Sequence, residues 1–153
     1  MVIDHIGILV RSLVEGIEHW KNLFGYVQSS EIVANGRQKV NVVFLTKPDS
    51  VTVKLFEPAE PSSPVYALAM KGGGLHHLCF RCDSLHTKLV ELERKGARLL
   101  VAPEPGEAFN DHEVAFLFAP FSNLNFELID TDKKTGLDPS DIRCPYVRER
   151  ARP

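Results

Sequence analysis

The chain has 153 residues, 44% apolar and 25% charged, with 18 Lys and Arg against 20 Asp and Glu for a formal net charge of −2. Such a chain buries roughly two-thirds of its surface around one core or two intimate halves, and this apolar content excludes a disordered polypeptide. The near balance of charge argues against a general electrostatic grip on nucleic acid or an anionic membrane, and no apolar run approaches the roughly 18 residues that cross a bilayer. Met1-Val2-Ile3-Asp4-His5 lacks the basic start and long apolar stretch of a secretory signal. Three Cys do not read as a disulfide framework, so a cytoplasmic location is the expectation.

Ile3 to Val10 is apolar and rich in β-branched residues, the pattern of a strand. Ser12 then offers an N-cap with Glu15 as its capping-box partner. Leu13, Ile17, Trp20, Leu23 and Phe24 fall on one helical face, and Gly25 stops the helix. Three apolar segments follow, at 26–33, 39–46 and 51–57, and read as strands. Pro-rich sequence from Glu57 to Pro64 marks a linker, Val65 to Lys71 a short helix, and Gly72-Gly73-Gly74 a flexible hinge.

The same order then returns. Asp4-His5-Ile6-Gly7-Ile8 through Ser12-Leu13 aligns with His76-His77-Leu78-Cys79-Phe80 through Ser84-Leu85 at an offset of 72 (Asp4 to His76). Val42-Val43-Phe44-Leu45 pairs likewise with Val114-Ala115-Phe116-Leu117, and Pro48 with Pro120. Leu78 to Cys82 is the repeated strand, Ser84 the cap, Leu85, Leu89 and Leu92 the apolar helix face, and Gly96 the stop. Strands at 97–102, 113–118 and 123–130 complete the copy. The expectation is an α+β fold of two βαβββ modules, 1–58 and 75–130, joined by a linker at 59–74. The polar segment 131–153 is expected to be an arm or to be partly disordered.

Strand alternation selects the inward side chains. Ile6, Ile8 and Val10 belong under the first helix, which leaves His5, Gly7 and Leu9 on the opposite face. On the repeated strand the same parity sets His77, Cys79 and Arg81 opposite Leu78, Phe80 and Cys82. Cys79 is thus expected to line that face and to contact substrate there. In the last strand Glu127 points away from the apolar set Leu124, Phe126 and Leu128. A carboxylate there costs several kcal/mol unless it is paired or metal-bound. The first-half counterpart of Glu127, allowing one residue of slip, is Lys54. His5, His77 and Glu127 therefore form a candidate 2-His-1-carboxylate set drawn from both halves. Such a set suits Zn, Co, Ni, Mn or Fe and leaves positions open for substrate.

These residues resemble the vicinal oxygen chelate superfamily, which includes glyoxalase I, bleomycin-resistance proteins, extradiol dioxygenases and methylmalonyl-CoA epimerase. The matching stretches are Asp4-His5-Ile6-Gly7-Ile8, Gly74-Leu75-His76-His77-Leu78, Lys95-Gly96-Ala97-Arg98-Leu99 and Phe126-Glu127-Leu128, together with Glu57-Pro58 and Ser63-Pro64, and they are most like the epimerases. The resemblance implies an eight-stranded cup around one divalent metal held by His5, His77 and Glu127, in a fold that commonly forms homodimers. It further implies a Gln or Glu where this chain has Lys54, and an acid–base carboxylate in the strand Val40-Asn41-Val42-Val43, which has none.

The leading expectation is a metal-dependent isomerase or lyase that stabilises an enolate next to a carbonyl, epimerase-like or glyoxalase-like, with an acyl thioester as the implied small-molecule substrate. Glu127 and Lys54 are its catalytic candidates; Lys54 would hold a substrate carboxylate or act as the acid–base group. Arg81 is expected either to bind an anionic substrate group or to make a structural ion pair. The alternatives are an Fe(II) extradiol-type dioxygenase, and a metal-free binding or resistance protein in which Lys54 neutralises Glu127. Cys79-Phe80-Arg81-Cys82 fits C-x-x-C, but on a strand this spacing sets the sulfurs on opposite faces and makes no redox or zinc pair.

Overall fold

Alternation of large apolar residues with small or polar ones builds β1 (Val2–Leu9), whose Ile6 and Ile8 side chains face the first helix, α1 (Leu13–Phe24). The computed structural model describes residues 1–136; the remainder of the expected arm, 137–153, lies outside the described residues. After α1 come β2 (Val27–Gln28), β3 (Val33–Asn35), β4 (Val40–Thr46) and β5 (Thr52–Pro58). A short helix α2 (Tyr66–Met70) leads to β6 (Gly74–Arg81), α3 (Leu85–Arg94), β7 (Arg98–Pro105), a 3-10 turn at Glu107–Phe109, β8 (Glu113–Ala119) and β9 (Leu124–Ile129).

All strands join one mixed sheet in the order β2-β4-β5-β1-β6-β9-β8-β7, with β3 also on β4. The expected α+β architecture is present, with nine strands in place of eight. The segment 26–33 breaks in two where Ser30 takes over from the ladder: its Oγ accepts the Phe44 N–H at 2.9 Å. Each half pairs its first strand parallel to its last, β1 with β5 and β6 with β9, and the halves meet along an antiparallel β1–β6 seam. Register confirms the one-residue slip. Lys54 lies beside Gly7 and Phe44, and Glu127 beside Cys79 and Phe116, in corresponding positions.

The two helices cover one face of the sheet. Leu13, Ile17 and Trp20 pack on Ile6, Ile8, Val43, Leu45, Val53 and Leu55; Leu85, Leu89 and Leu92 pack on Phe80, Ala115, Leu117, Phe126 and Leu128. Leu23 and Phe24, expected on the buried face of α1, are exposed, and Phe24 packs on the Trp20 ring of its own helix. Cys82 packs with the α3 cluster and Cys79 with the cluster on the other face, as the strand spacing requires.

The starts of α1 and α3 are each held by a carboxylate from the end of the same module. Leu13 N–H donates to Glu57 Oε2 at 2.7 Å, and Leu85 N–H to Asp130 Oδ2 at 3.0 Å. These carboxylates answer both an orphan donor and the positive helix end. Glu57→Ala and Asp130→Ala are each expected to lower stability by about 1–2 kcal/mol, read from urea unfolding midpoints.

The expected glycine hinge is a fitted corner. Gly72, Gly73 and Gly74 have φ of 118°, 63° and 106°, and a Cβ on Gly73 would lie 2.2 Å from the Leu9 carbonyl oxygen. Among the described residues no helix is long and apolar enough to cross a membrane.

Candidate metal centre

On the face away from the helices, the central strands bring together His5 from β1, His77 from β6, Lys54 from β5 and Glu127 from β9. Their exposures are 0, 2, 4 and 1%, respectively. His5 Nε2 lies 2.9 Å, and His77 Nε2 3.5 Å, from Glu127 Oε2. Lys54 Nζ donates to both carboxylate oxygens, at 3.1 and 3.2 Å.

The seam strands are bent where the site forms. Register shifts leave Asp4 unpaired between Ile3 and His5 on β1, and His76 unpaired between Leu75 and His77 on β6. Such bulges re-aim side chains, so adjacent residues can approach one another where a regular strand would separate them. Asp4 Oδ1 sits 2.8 Å from His5 Nδ1, and His76 Nδ1 2.9 Å from His77 Nδ1. The repeat thus holds each inward imidazole by the residue before it. Gly7 makes room for the second ring: a Cβ there would fall 2.2–2.6 Å from three atoms of the His77 imidazole.

Burial alone would raise the Asp4 carboxyl, but His5 and Lys134 more than offset it and bring it to about 2. Ionised Asp4 only accepts, so His5 Nδ1 carries the proton in their bond and, in the neutral ring, Nε2 presents a lone pair. Burial pushes the His77 imidazole down to about 4, against the pull of Glu127, so this ring is neutral at pH 7. Burial likewise opposes the Glu127 charge, yet the Lys54 ammonium beside it holds its carboxyl well below the usual range. Neither His5 Nε2 nor His77 Nε2 has a hydrogen-bond partner. Two orphaned nitrogens and a carboxylate oxygen, all within 4.8 Å of one another, are the donor set of a tetrahedral or facial three-ligand metal site. The residues present therefore fit a divalent ion, with Asp4 behind His5 as the outer-shell carboxylate that such ligands carry.

A cleft of about 300 Å³ opens over Lys54 and His77, walled by Val42, Phe56, Leu100, Val101 and Phe116. Gln38, His76 and Asn125 add the remaining polar lining, and among the described residues no carboxylate lines it. The other two expected substrate contacts lie elsewhere. Cys79 is fully buried in the core, and burial pushes its thiol well above the usual range. Arg81 sits at the end of β6 opposite Val2, half-exposed, with its guanidinium 3.9 Å from Asp132 Oδ2. Neither is part of the cleft wall.

Alternation did not reveal Asp4, His76, Phe109 or Lys134 as partners of the site. Phe109 stacks on His5 at a centroid distance of 5.9 Å and lies 5.2 Å from Lys54 Nζ. The offset of 72 that pairs Asp4 with His76 was the available signal for those two.

The protein is 34% identical over 116 residues to the uncharacterised protein YqjC of Bacillus subtilis, covering 75% of this chain and 81% of that one. It is 28% identical over 120 residues to the ethylmalonyl-CoA/methylmalonyl-CoA epimerase of Cereibacter sphaeroides, covering 75% and 86%. A variant of Streptomyces coelicolor methylmalonyl-CoA epimerase, in complex with 2-nitronate-propionyl-CoA, superposes with a TM-score of 0.73 at 26% identity, covering 84% of this chain and 93% of that one. Residues 4–116 match the sequence family described as the glyoxalase/bleomycin resistance protein/dioxygenase superfamily. That span includes His5, His77 and Lys54 and ends before Glu127, and the chain belongs to this superfamily.

Proposed function

We propose that the protein is a divalent-metal-dependent isomerase or lyase that stabilises an enolate beside the carbonyl of an acyl thioester. The observation that carries this reading is the pair of buried imidazole nitrogens, both without a hydrogen-bond partner, turned toward one carboxylate oxygen. The likeness to epimerases of acyl-CoA thioesters supports the substrate class. His5, His77 and Glu127 would hold the ion, which when bound supplies a Lewis acid for a carbonyl oxygen and the charge that develops on it.

The chain's own residues supply the rest. Glu127 is sealed beneath the cleft, which suits a ligand better than a base. Lys54 borders the cleft while it anchors Glu127, so its ammonium would present a positive group, and a proton, to an anionic oxygen of the substrate. The apolar walls around it exclude water and strengthen that electrostatic contact.

Two measurements test the reading. Metal-loaded protein is expected to exchange the α-proton of a suitable acyl thioester with D₂O. Absence of exchange across a panel of acyl thioesters and hemithioacetals overturns the reaction class. Elemental analysis is expected to find about one metal per chain, falling to near zero in His77→Ala, since removal of one of three ligands leaves an incomplete site.

The Lys54–Glu127 ion pair favours a second reading. It satisfies the carboxylate without an ion, as a metal-free binder of small molecules would require. A metal-free wild type that binds a cleft ligand would establish this alternative.

A further inference from the structure

The segment after β9, Thr131 to Gly136, runs back over the site. Lys134 is only 9% exposed, and its Nζ lies 2.8 Å from Asp4 Oδ1, 3.1 Å from Asp4 Oδ2 and 5.5 Å from the centre of the Phe44 ring. The next residue grips a different element. Thr135 N–H donates to the Ala108 carbonyl at 2.9 Å, its hydroxyl donates to the Glu107 carbonyl, and its Oγ accepts the Asn110 N–H at 3.0 Å. The turn so held carries Phe109, which stacks on His5 and lies beneath Lys54.

We propose that Lys134 and Thr135 are positioning residues for the site: Lys134 fixes the Asp4 carboxylate that aims His5, and Thr135 fixes the Phe109 ring that backs His5 and Lys54. The His5 ring is packed edge-on by Phe44 and face-on by Phe109, contacts that do not distinguish its two flipped orientations. The bond from Nδ1 to Asp4 does distinguish them, and so points Nε2 inward. Lys134 is the cation that compensates this part-buried carboxylate. Without it, Asp4 swings toward water and the ring loses its orienting bond. Neither positioning residue lines the cleft or belongs to the three-donor set.

The functional part of this proposal rests on the metal reading, but its structural part is measured separately. In ¹⁵N-labelled protein, the Nδ1–H of His5, assigned by its absence in His5→Gln, is expected to exchange slowly with water. Lys134→Met is expected to speed that exchange at least tenfold, and Lys134→Arg to restore it. Thr135→Val is expected to shift the Lys54 ammonium resonance while leaving the thermal midpoint nearly unchanged. Metal affinity in Lys134→Met should fall about 10- to 100-fold, the range for loss of an outer-shell partner. If Lys134→Met does not fold, Lys134→Gln gives the same readout. Unchanged His5 exchange in the neutral variant overturns the proposal. A wild type that binds no metal, but whose His5 signal follows Lys134, sinks the metal reading and leaves the positioning role standing.

Discussion

Glu127→Ala is expected to destabilise the protein by about 3–5 kcal/mol and to abolish metal binding, because it strands the buried Lys54 ammonium without its counter-charge. Lys54 donates to both oxygens of this carboxylate from a site 4% exposed, so water cannot replace the lost partner without opening the core. Urea unfolding should show a lower midpoint. The double variant Lys54→Met/Glu127→Leu removes both charges and should recover most of the loss, since replacing a buried ion pair by apolar residues is often neutral or stabilising. It should remain inactive. Stability that falls equally in the single and double variants would show that the pair is not the source of the effect.

Gly7→Ala is expected to remove the site while leaving the fold in place. The added methyl carbon would lie 2.2 Å from His77 Cε1 and 2.3 Å from His77 Nε2, far inside contact distance. The ring must leave its position, because the new methyl carbon is fixed to the β1 backbone at the seam and cannot withdraw independently. Overpacking of this kind costs about 1–3 kcal/mol. Bound metal per chain should drop to near zero, as in His77→Ala, with far-UV circular dichroism unchanged. Full metal occupancy in Gly7→Ala would mean that His77 binds from another rotamer or takes no part in holding the ion.

What made the site readable was parity. His5, His77 and Glu127 each sit on a strand whose alternate residues are large and apolar, so the pattern itself says which side chains turn inward. The duplication then located Lys54, as the counterpart of Glu127, with one residue of slip. The same reasoning was blind to Asp4 and His76, since alternation assigns neighbours to opposite faces and the bulges that cancel this leave no mark in composition. Phe109 and Lys134 come from a turn and from the segment after the last strand, where no period constrains direction. Leu23 and Phe24 fit the helical stripe, but a period alone does not say where a stripe stops being covered. Gly72-Gly73-Gly74 reads as slack in the sequence because glycine serves loose and crowded backbone alike; the nearness of the Leu9 carbonyl decides which applies.

The split between Lys54 and Glu127 has a stereochemical consequence. Two matched modules with identical residues at these positions would enclose a chamber related to itself by a two-fold axis, indifferent to which way round a guest enters. With the Lys54 ammonium bordering the cleft and its counterpart carboxylate sealed beneath it, that axis is abolished and the chamber acquires a left and a right. A flat, prochiral guest entering the cleft would then meet a cation from one side only.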